Sequence, residues 1–179
     1  MQLATDRVIL RELVESDARR IFEIESIPEV SRYQSRDTTS VEAAEWYVRG
    51  IMVEAAALPR TVFDFAVTLR GDDRLVGRCG MKRSDNELRD AMVWYVLDPA
   101  IHGHGYVTEA ARALLAFAFD ELGLHRVWAD ADPRNQASLR VMQRLGMRQE
   151  AHHVENVHIR GEWCDSIIYA MLRREWSAR

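Results

Sequence analysis

With 179 residues, 47% of them hydrophobic and 29% charged, the chain has the make-up of one ordinary globular domain, 1–179, able to bury a sizeable core. Its net charge of −4 argues against general nucleic-acid binding. No basic-apolar-small leader opens it, and the longest apolar run, 113–119, is far too short to span a bilayer; a cytoplasmic protein with no membrane partner is expected.

Residues 7–13 read as a first strand, after which Ser16 or Asp17 caps a helix that turns Ala18, Ile21 and Phe22 inward. Residues 27–38, with Pro28, Tyr33 and no period, read as a loop. Thr39 and Glu42 have the spacing of a capping box ahead of a long helix carrying Val41, Ala44, Val48, Ile51, Met52 and Ala55, which Pro59 ends. Phe63, Phe65, Val67 and Leu69 alternate in a strand, 70–73 is a turn, and a second strand covers 74–81. A polar turn at 84–87 leads to a third strand, 91–97, stopped by Asp98-Pro99.

Next comes His102-Gly103-His104-Gly105-Tyr106-Val107, a glycine-spaced loop opening straight into a helical pattern. Glycines let the backbone turn sharply with its amides outward, and a helix N-terminus adds unpaired N–H groups and a positive dipole end. Together these suit an anion, phosphate above all. The helix repeats apolar residues at Val107, Ala110, Ala111, Leu114, Leu115, Ala118 and Leu122 until Gly123 stops it. Residues 125–131 alternate as a strand, Pro133 breaks it, and Asn135 is placed to cap a helix reaching Leu145 and closed by Gly146. Strands to Ile159 and around 163–171, turned by Arg160-Gly161, finish the chain with a short tail to Trp176. The loop lacks the third glycine of a dinucleotide fingerprint, and no G-x-x-x-x-G-K-[ST] occurs. From the loop alone, a plain strand-to-helix turn remains an equal reading.

The pieces GHGYVTEA, LGLHRVWADADPRNQASLRVMQRLGM and GEWCDSIIYAMLRREW, with the opening TDRVILRELVESDA, resemble the GNAT superfamily of acetyl-CoA-dependent N-acetyltransferases. The likeness is to the RimJ/RimL-type branch of ribosomal-protein N-terminal acetyltransferases, and it spans nearly the whole chain. It implies an α/β fold: a mixed, mostly antiparallel sheet flanked by helices, with strands 91–97 and 125–131 side by side and splayed at one end. Acetyl-CoA would enter that gap, its pantetheine arm pairing with backbone near Val96 and Leu97. Its diphosphate would rest on the loop and first helical turn, His102, Gly103, His104, Gly105, Tyr106, Val107 and Thr108. The sequence departs from the family at His102, usually glutamine or arginine, and at Val107, usually glycine or alanine.

The same resemblance makes Asn135-x-x-Ser138 the catalytic element: Ser138 would protonate the departing thiolate, the other reading being an ordinary third residue of a capped helix, and Asn135 would serve as helix cap and pantetheine contact. Met142 stands where many relatives have a tyrosine, so the proton falls to Ser138. A backbone N–H of strand 91–97 would hold the oxyanion, worth about 3 kcal/mol, and positioning alone supplies roughly 7–11 kcal/mol. Tyr33, Trp46 and Tyr47 are candidates for the acceptor groove. Met92 occupies a position often held by a glutamate base, leaving Asp90, Glu109 and Asp130 as substitutes, although carboxylates there are more often solvated surface. An α-amine, with a pKa near 8, is about a tenth neutral at pH 7, so it suits a site with a weak base.

Six histidines are present, but only His102/His104 and His152/His153 lie close together, so no metal is expected. Cys79 and Cys164 read as buried, reduced thiols rather than a disulfide. The expected function is acetyl transfer to a primary amine, foremost a protein or peptide N-terminal α-amine. Two alternatives stay open: a small-molecule amine acetyltransferase, ranked lower because the loop around Arg32 and Arg36 is not acidic, and a catalytically weak acyl-CoA-binding module. The oligomeric state, a homodimer included, is open.

Overall fold

The computed structural model describes residues 1–35, 38–84 and 86–178; Arg36, and Asp85 of the polar turn, lie outside that set. The chain begins with β1 (Gln2–Ala4) and β2 (Val8–Glu12), then α1 (Asp17–Glu25), the one-turn α2 (Pro28–Ser31) and α3 (Val41–Ala56). Strands β3 (Val62–Leu69), β4 (Asp72–Arg83) and β5 (Asp90–Leu97) follow, then α4 (Tyr106–Ala116) and β6 (Arg126–Ala131). The chain closes with α5 (Gln136–Arg144), β7 (Arg148–Ile159), β8 (Glu162–Leu172) and the short α6 (Arg173–Trp176).

Several local expectations shift. β1 has no alternation long enough to read; pairing with β2 makes it a strand, Leu3 facing Leu10. The stretch read as a loop contains α2, entered through Pro28 at its first position, where proline suits a helix start. The long helix is capped by Ser40 rather than Thr39: the Ser40 side chain accepts the Ala43 N–H at 3.2 Å. At α1 neither candidate caps; Ser16 is already helical, and the Asp17 carboxylate instead accepts the Val14 N–H at 2.9 Å and binds Arg11. At both helix starts two adjacent polar residues could do one local job; at α3 Ser40 does it, and at α1 Asp17 is claimed by Val14 and Arg11 instead.

Among the described residues, eight strands form one mixed sheet in the order β1-β2-β3-β4-β5-β6-β8-β7. Every neighbouring pair is antiparallel except β5–β6. One face packs α1 and α3, burying Ile21, Ile24, Ala44 and Val48 against Ala66 and Leu75. The other packs α4 and α5, with Ala110, Leu114, Leu115 and Leu139 against Val93, Val127 and Ala129. By area, each such leucine contributes about 2 kcal/mol. Because both faces are covered, β3 is buried along nearly its whole length despite its alternation.

The parallel pair parts early. Its register runs only Asp90↔Arg126, Ala91↔Val127 and Met92↔Trp128. β5 stays on β4 to the end, through Val96↔Arg78 and Leu97↔Gly77. Gly77 permits that: a Cβ there would stand 2.3 Å from the Val96 carbonyl oxygen, so no side chain fits between the two strands. β6 stays on β8 through Ala131↔Ile167. Each strand follows its outer neighbour, and the mixed sheet with two splayed strands expected from the sequence forms.

A buried ionic network locks α1 and α3 onto the sheet beside this gap. Arg78, 4% exposed, sits between two buried carboxylates. It donates Nε to Glu25 at 2.8 Å and Nη1 to Asp64 at 2.6 Å and to the Tyr47 hydroxyl at 2.8 Å. Thr38 donates to Glu25 at 2.6 Å, Trp94 to Asp64 at 3.3 Å, and the Tyr47 hydroxyl to Asp64. Removing one partner of such a group strands the other charges. Arg78→Met is expected to cost about 3–5 kcal/mol of unfolding free energy, read by urea denaturation; a loss under about 1 kcal/mol would show that the network does not hold the helices.

Candidate functional site

The glycine turn is built as the sequence suggests. Gly103 and Gly105 take φ of 84° and 81°, the left-handed region where a side chain is strained, and Gly105 is the N-cap of α4. The first helical bond is the Glu109 N–H to the Gly105 carbonyl at 3.1 Å, so the N–H groups of Tyr106, Val107 and Thr108 have no helical acceptor. Thr108 adds a buried hydroxyl without a hydrogen-bond partner among the described residues. Buried orphan hydroxyls are unfavourable unless something completes them.

The turn is clamped from outside. Arg7 donates Nη1 to the His104 carbonyl at 3.0 Å, pairs with Glu109 at 2.5 Å, and lies over the Tyr106 ring at 5.1 Å. The Thr5 hydroxyl and Arg7 N–H also reach Glu109, at 2.5 and 2.9 Å. Partial burial raises the Glu109 carboxyl, but these donors outweigh it and hold its pKa below the usual range. Glu109 is a structural anchor, which removes it from the candidate bases. His102 donates Nε2–H to the Leu97 carbonyl at 3.1 Å, tying the turn to the parted end of β5. The His104 ring contacts the Ile101 and His102 carbonyls and stacks on Tyr106 at 5.6 Å. His104 does not line the cleft.

A cleft of about 900 Å³ passes between the parted strands. On the α4–α5 face it is lined by Gly103, Gly105, Tyr106, Val107 and Thr108; on the α1–α3 face it meets Tyr33, Tyr47 and Arg78. Val96, Leu97 and His102 border its middle. That size matches a small-molecule site, and the opening crosses the sheet from one face to the other. Arg140 and Arg144 also line it, bringing positive charge that the amide notch lacks; their spacing of four on α5 is the signal that a reading for anion sites could have used.

Asn135 and Ser138 meet at the same cleft. The Asn135 side chain accepts the Ser138 N–H at 3.1 Å, the expected cap, and its amide NH₂ stays available. Ser138 Oγ lies 2.9 Å from the Tyr95 hydroxyl, which also donates to the Ser138 carbonyl at 3.2 Å. Tyr95 was not a candidate from sequence; it stands 43 residues away, on the opposite side of the gap. Burial pushes its pKa well above that of an ordinary phenol, against the opposing bond to Ser138, so it stays a neutral donor. Met142 is fully buried and faces the core.

The acceptor candidates divide. Tyr33 lines the cleft and reaches across it, its hydroxyl donating to the Arg134 carbonyl at 3.3 Å. Tyr47 lines it with its hydroxyl engaged in the Arg78 network. Trp46 does neither: it is 75% exposed on the outer side of α3, because adjacent helical residues point about 100° apart. Arg32 lies over the Tyr33 ring at 5.0 Å and is not in the lining, whereas Glu29, Asp130, Asp132 and Asp165 are, so the groove is more acidic than its loop composition suggested. Asp90 is bonded to Ser84 at 2.6 Å and is not in the lining. Among the described residues no three His, Cys, Asp or Glu side chains converge on a metal position, and no helix is long and apolar enough to cross a membrane. Cys79 and Cys164 are free and buried.

An amide notch, a through-sheet cleft and an unpaired strand edge together suit a long ligand with an anionic end. Comparison with known proteins agrees. The model of the acetyltransferase (GNAT) domain family matches residues 7–148. The chain is similar to the uncharacterized N-acetyltransferase YnaD of Bacillus subtilis (strain 168), 32% identical over 177 residues that cover 99% of this chain and 100% of that one. A GNAT-family acetyltransferase from Bacillus anthracis superimposes with a TM-score of 0.86 at 28% identity, covering 98% and 100% of the two chains. RimL, a ribosomal L7/L12 alpha-N-protein acetyltransferase solved in complex with coenzyme A, shares the fold at TM-score 0.84 and 17% identity, covering 96% and 98%. The chain belongs to the GNAT acetyltransferase family and is an N-acetyltransferase.

The orphan hydroxyl gives a direct test of the notch. Thr108→Val removes a buried polar group that has no protein partner, so thermal stability is expected to hold or rise slightly, while coenzyme A affinity by calorimetry falls about fivefold to tenfold, one hydrogen bond's worth. Unchanged affinity would show that no ligand completes Thr108.

Proposed function

We propose that the chain, as one domain over residues 1–179, transfers the acetyl group of acetyl-CoA directly to a primary amine, foremost the α-amine of a protein or peptide N-terminus, in the cytoplasm. The observation that carries this is the cleft through the sheet, with an anion notch on one face and an open groove on the other. Two substrates can then meet at the gap without sharing an entrance.

The residues divide the work. The amides of Gly103 and of Gly105 through Thr108, with the Thr108 hydroxyl and Arg140, receive the diphosphate. The β6-facing edge of β5, unpaired past Met92 and bordered by Val96 and Leu97, offers backbone groups to the pantetheine amides, adding in effect one more strand. Acetyl-CoA supplies the activated thioester. A β5 N–H at that edge faces the developing oxyanion, and Ser138 gives its proton to the leaving sulfur, with Tyr95 positioning and resupplying it. Asn135 holds the first turn of α5 so that Ser138 Oγ points into the cleft, and Tyr33 and Tyr47 wall the acceptor side. RimL's α-N-protein acetylation supports a protein N-terminus as acceptor. A small cationic amine is the second reading, favoured by the carboxylates of Glu29, Asp130 and Asp165 in the lining.

Acetyl transfer to a tripeptide bearing only an α-amine is expected to exceed transfer to one bearing only a lysine ε-amine by roughly a hundredfold in kcat/KM at pH 7, because about a tenth of the first and far less of the second is neutral. Equal rates would contradict the α-amine assignment, and faster turnover of polyamines would favour the second reading. Ser138→Ala is expected to lower kcat about tenfold to a hundredfold with coenzyme A affinity unchanged. An unchanged kcat would remove Ser138 from the chemistry.

A further inference from the structure

Amine acetylation needs a group that takes a proton from the incoming ammonium, and Met92 at the start of the gap cannot. Among the described residues four carboxylates line the cleft: Glu29, Asp130, Asp132 and Asp165. Asp132 is held by Arg134, through Nε at 2.9 and 3.1 Å and Nη2 at 2.6 Å, which keeps its pKa low. Asp165 accepts the Glu155 N–H at 2.9 Å and pairs with His152 at 2.7 Å, and these bonds keep it low too. Glu29 is an exposed residue of the one-turn α2, away from the parted strands in the chain. Asp130 differs from all three. It lies on β6 two residues past the last β5–β6 pair, Met92↔Trp128, where the strands part. Its neighbours Ala129 and Ala131 turn into the α4–α5 core, so strand alternation puts Asp130 on the opposite, acceptor-side face. Among the described residues its carboxylate has no ion pair and no side-chain hydrogen bond.

We propose that Asp130 is the general base of this acetyltransferase, taking the proton of a cationic primary amine that enters from the α1–α3 face. The inference rests on the acetyl-transfer reading and deepens it. Asp130 accepts one proton from R–NH₃⁺, giving R–NH₂ and the neutral acid. The nitrogen lone pair forms the N–C bond to the thioester carbonyl, and the C–S bond then breaks. The second N–H proton balances the departing thiolate through Ser138 and Tyr95, yielding the acetamide and free thiol, while Asp130 returns its proton to water. Of the other charges that line the cleft, Arg78 sits between Glu25 and Asp64, Arg134 pairs with Asp132 and Asp165 with His152, while Glu29 stands on α2 and Arg140 and Arg144 on α5. The Asp130 side chain is exposed to the cleft, and partial desolvation beside the strands, against its own backbone N–H, pushes its pKa above the usual aspartate value, conditions that suit a base handing its proton back.

The experiment compares wild type, Asp130→Asn and Asp130→Glu for acetyl transfer to the best amine of the acceptor panel, from pH 6 to 9, with acetyl-CoA affinity measured by calorimetry. Asp130→Asn is expected to lose about a hundredfold in kcat/KM at pH 7 and to recover to within about tenfold by pH 9, where an α-amine is already largely neutral. Asp130→Glu is expected to restore most of the activity, and cofactor affinity should stay within threefold throughout. A wild-type pH profile in Asp130→Asn, or a matching loss of cofactor affinity, would overturn the base assignment alone. Wild type that binds acetyl-CoA yet acetylates no amine would overturn the acetyl-transfer reading and this inference together.

Discussion

The structure depends on two neighbouring strands that pair for three residues and then let go. Backbone groups left without partners inside a protein are costly, so a sheet that opens in its middle calls for something to complete it. Here β5 leans onto β4, where Gly77 allows contact too close for any side chain, and β6 follows β8. The opening is therefore set by pairing on both outer sides. A ligand with amides along its length can supply the missing partners.

The ends of that opening are held by two rigid devices from distant parts of the chain. On the α4 side, Thr5 and Arg7 grip Glu109 and the His104 carbonyl, fixing the turn whose amides face the cleft. On the other side, Arg78 joins α1, α3, β3 and β4 around two buried carboxylates. Buried ion pairs contribute little net stability relative to apolar packing, and their use here is geometric: they set where the groove wall stands. The acetyl-transfer chemistry we propose then calls only for small groups, and the hydroxyl of Ser138, the phenol of Tyr95 and the carboxylate of Asp130 all line the gap.

The local parts of this design were legible in the residues. Glycines ahead of a helical repeat mark the amide notch, and Asn135 three residues before Ser138 marks a capped helix; both features are short in sequence and need no tertiary context. The cap of α3 missed by one residue because Thr39 and Ser40 can do the same chemistry and only packing decides. Trp46 is a groove candidate only through the family resemblance, whereas the helical phase sends it to solvent and its neighbour Tyr47 inward. Tyr95, Arg78 and the Arg7 clamp were invisible for a different reason: their partners lie 43, 53 and up to 102 residues away, and no periodicity encodes such contacts. The choice among Asp90, Glu109 and Asp130 required knowing what each carboxylate already binds.

Amide hydrogen exchange with and without acetyl-CoA tests the central claim most directly. If the parted strands and the amide notch form one binding surface, ligand should slow exchange together at Gly103 to Thr108 and along the Val96–Leu97 end of β5, while the closed end near Asp90 stays unchanged. Protection confined to other elements, or none at saturating ligand, would show that the gap is not where the thioester arm lies.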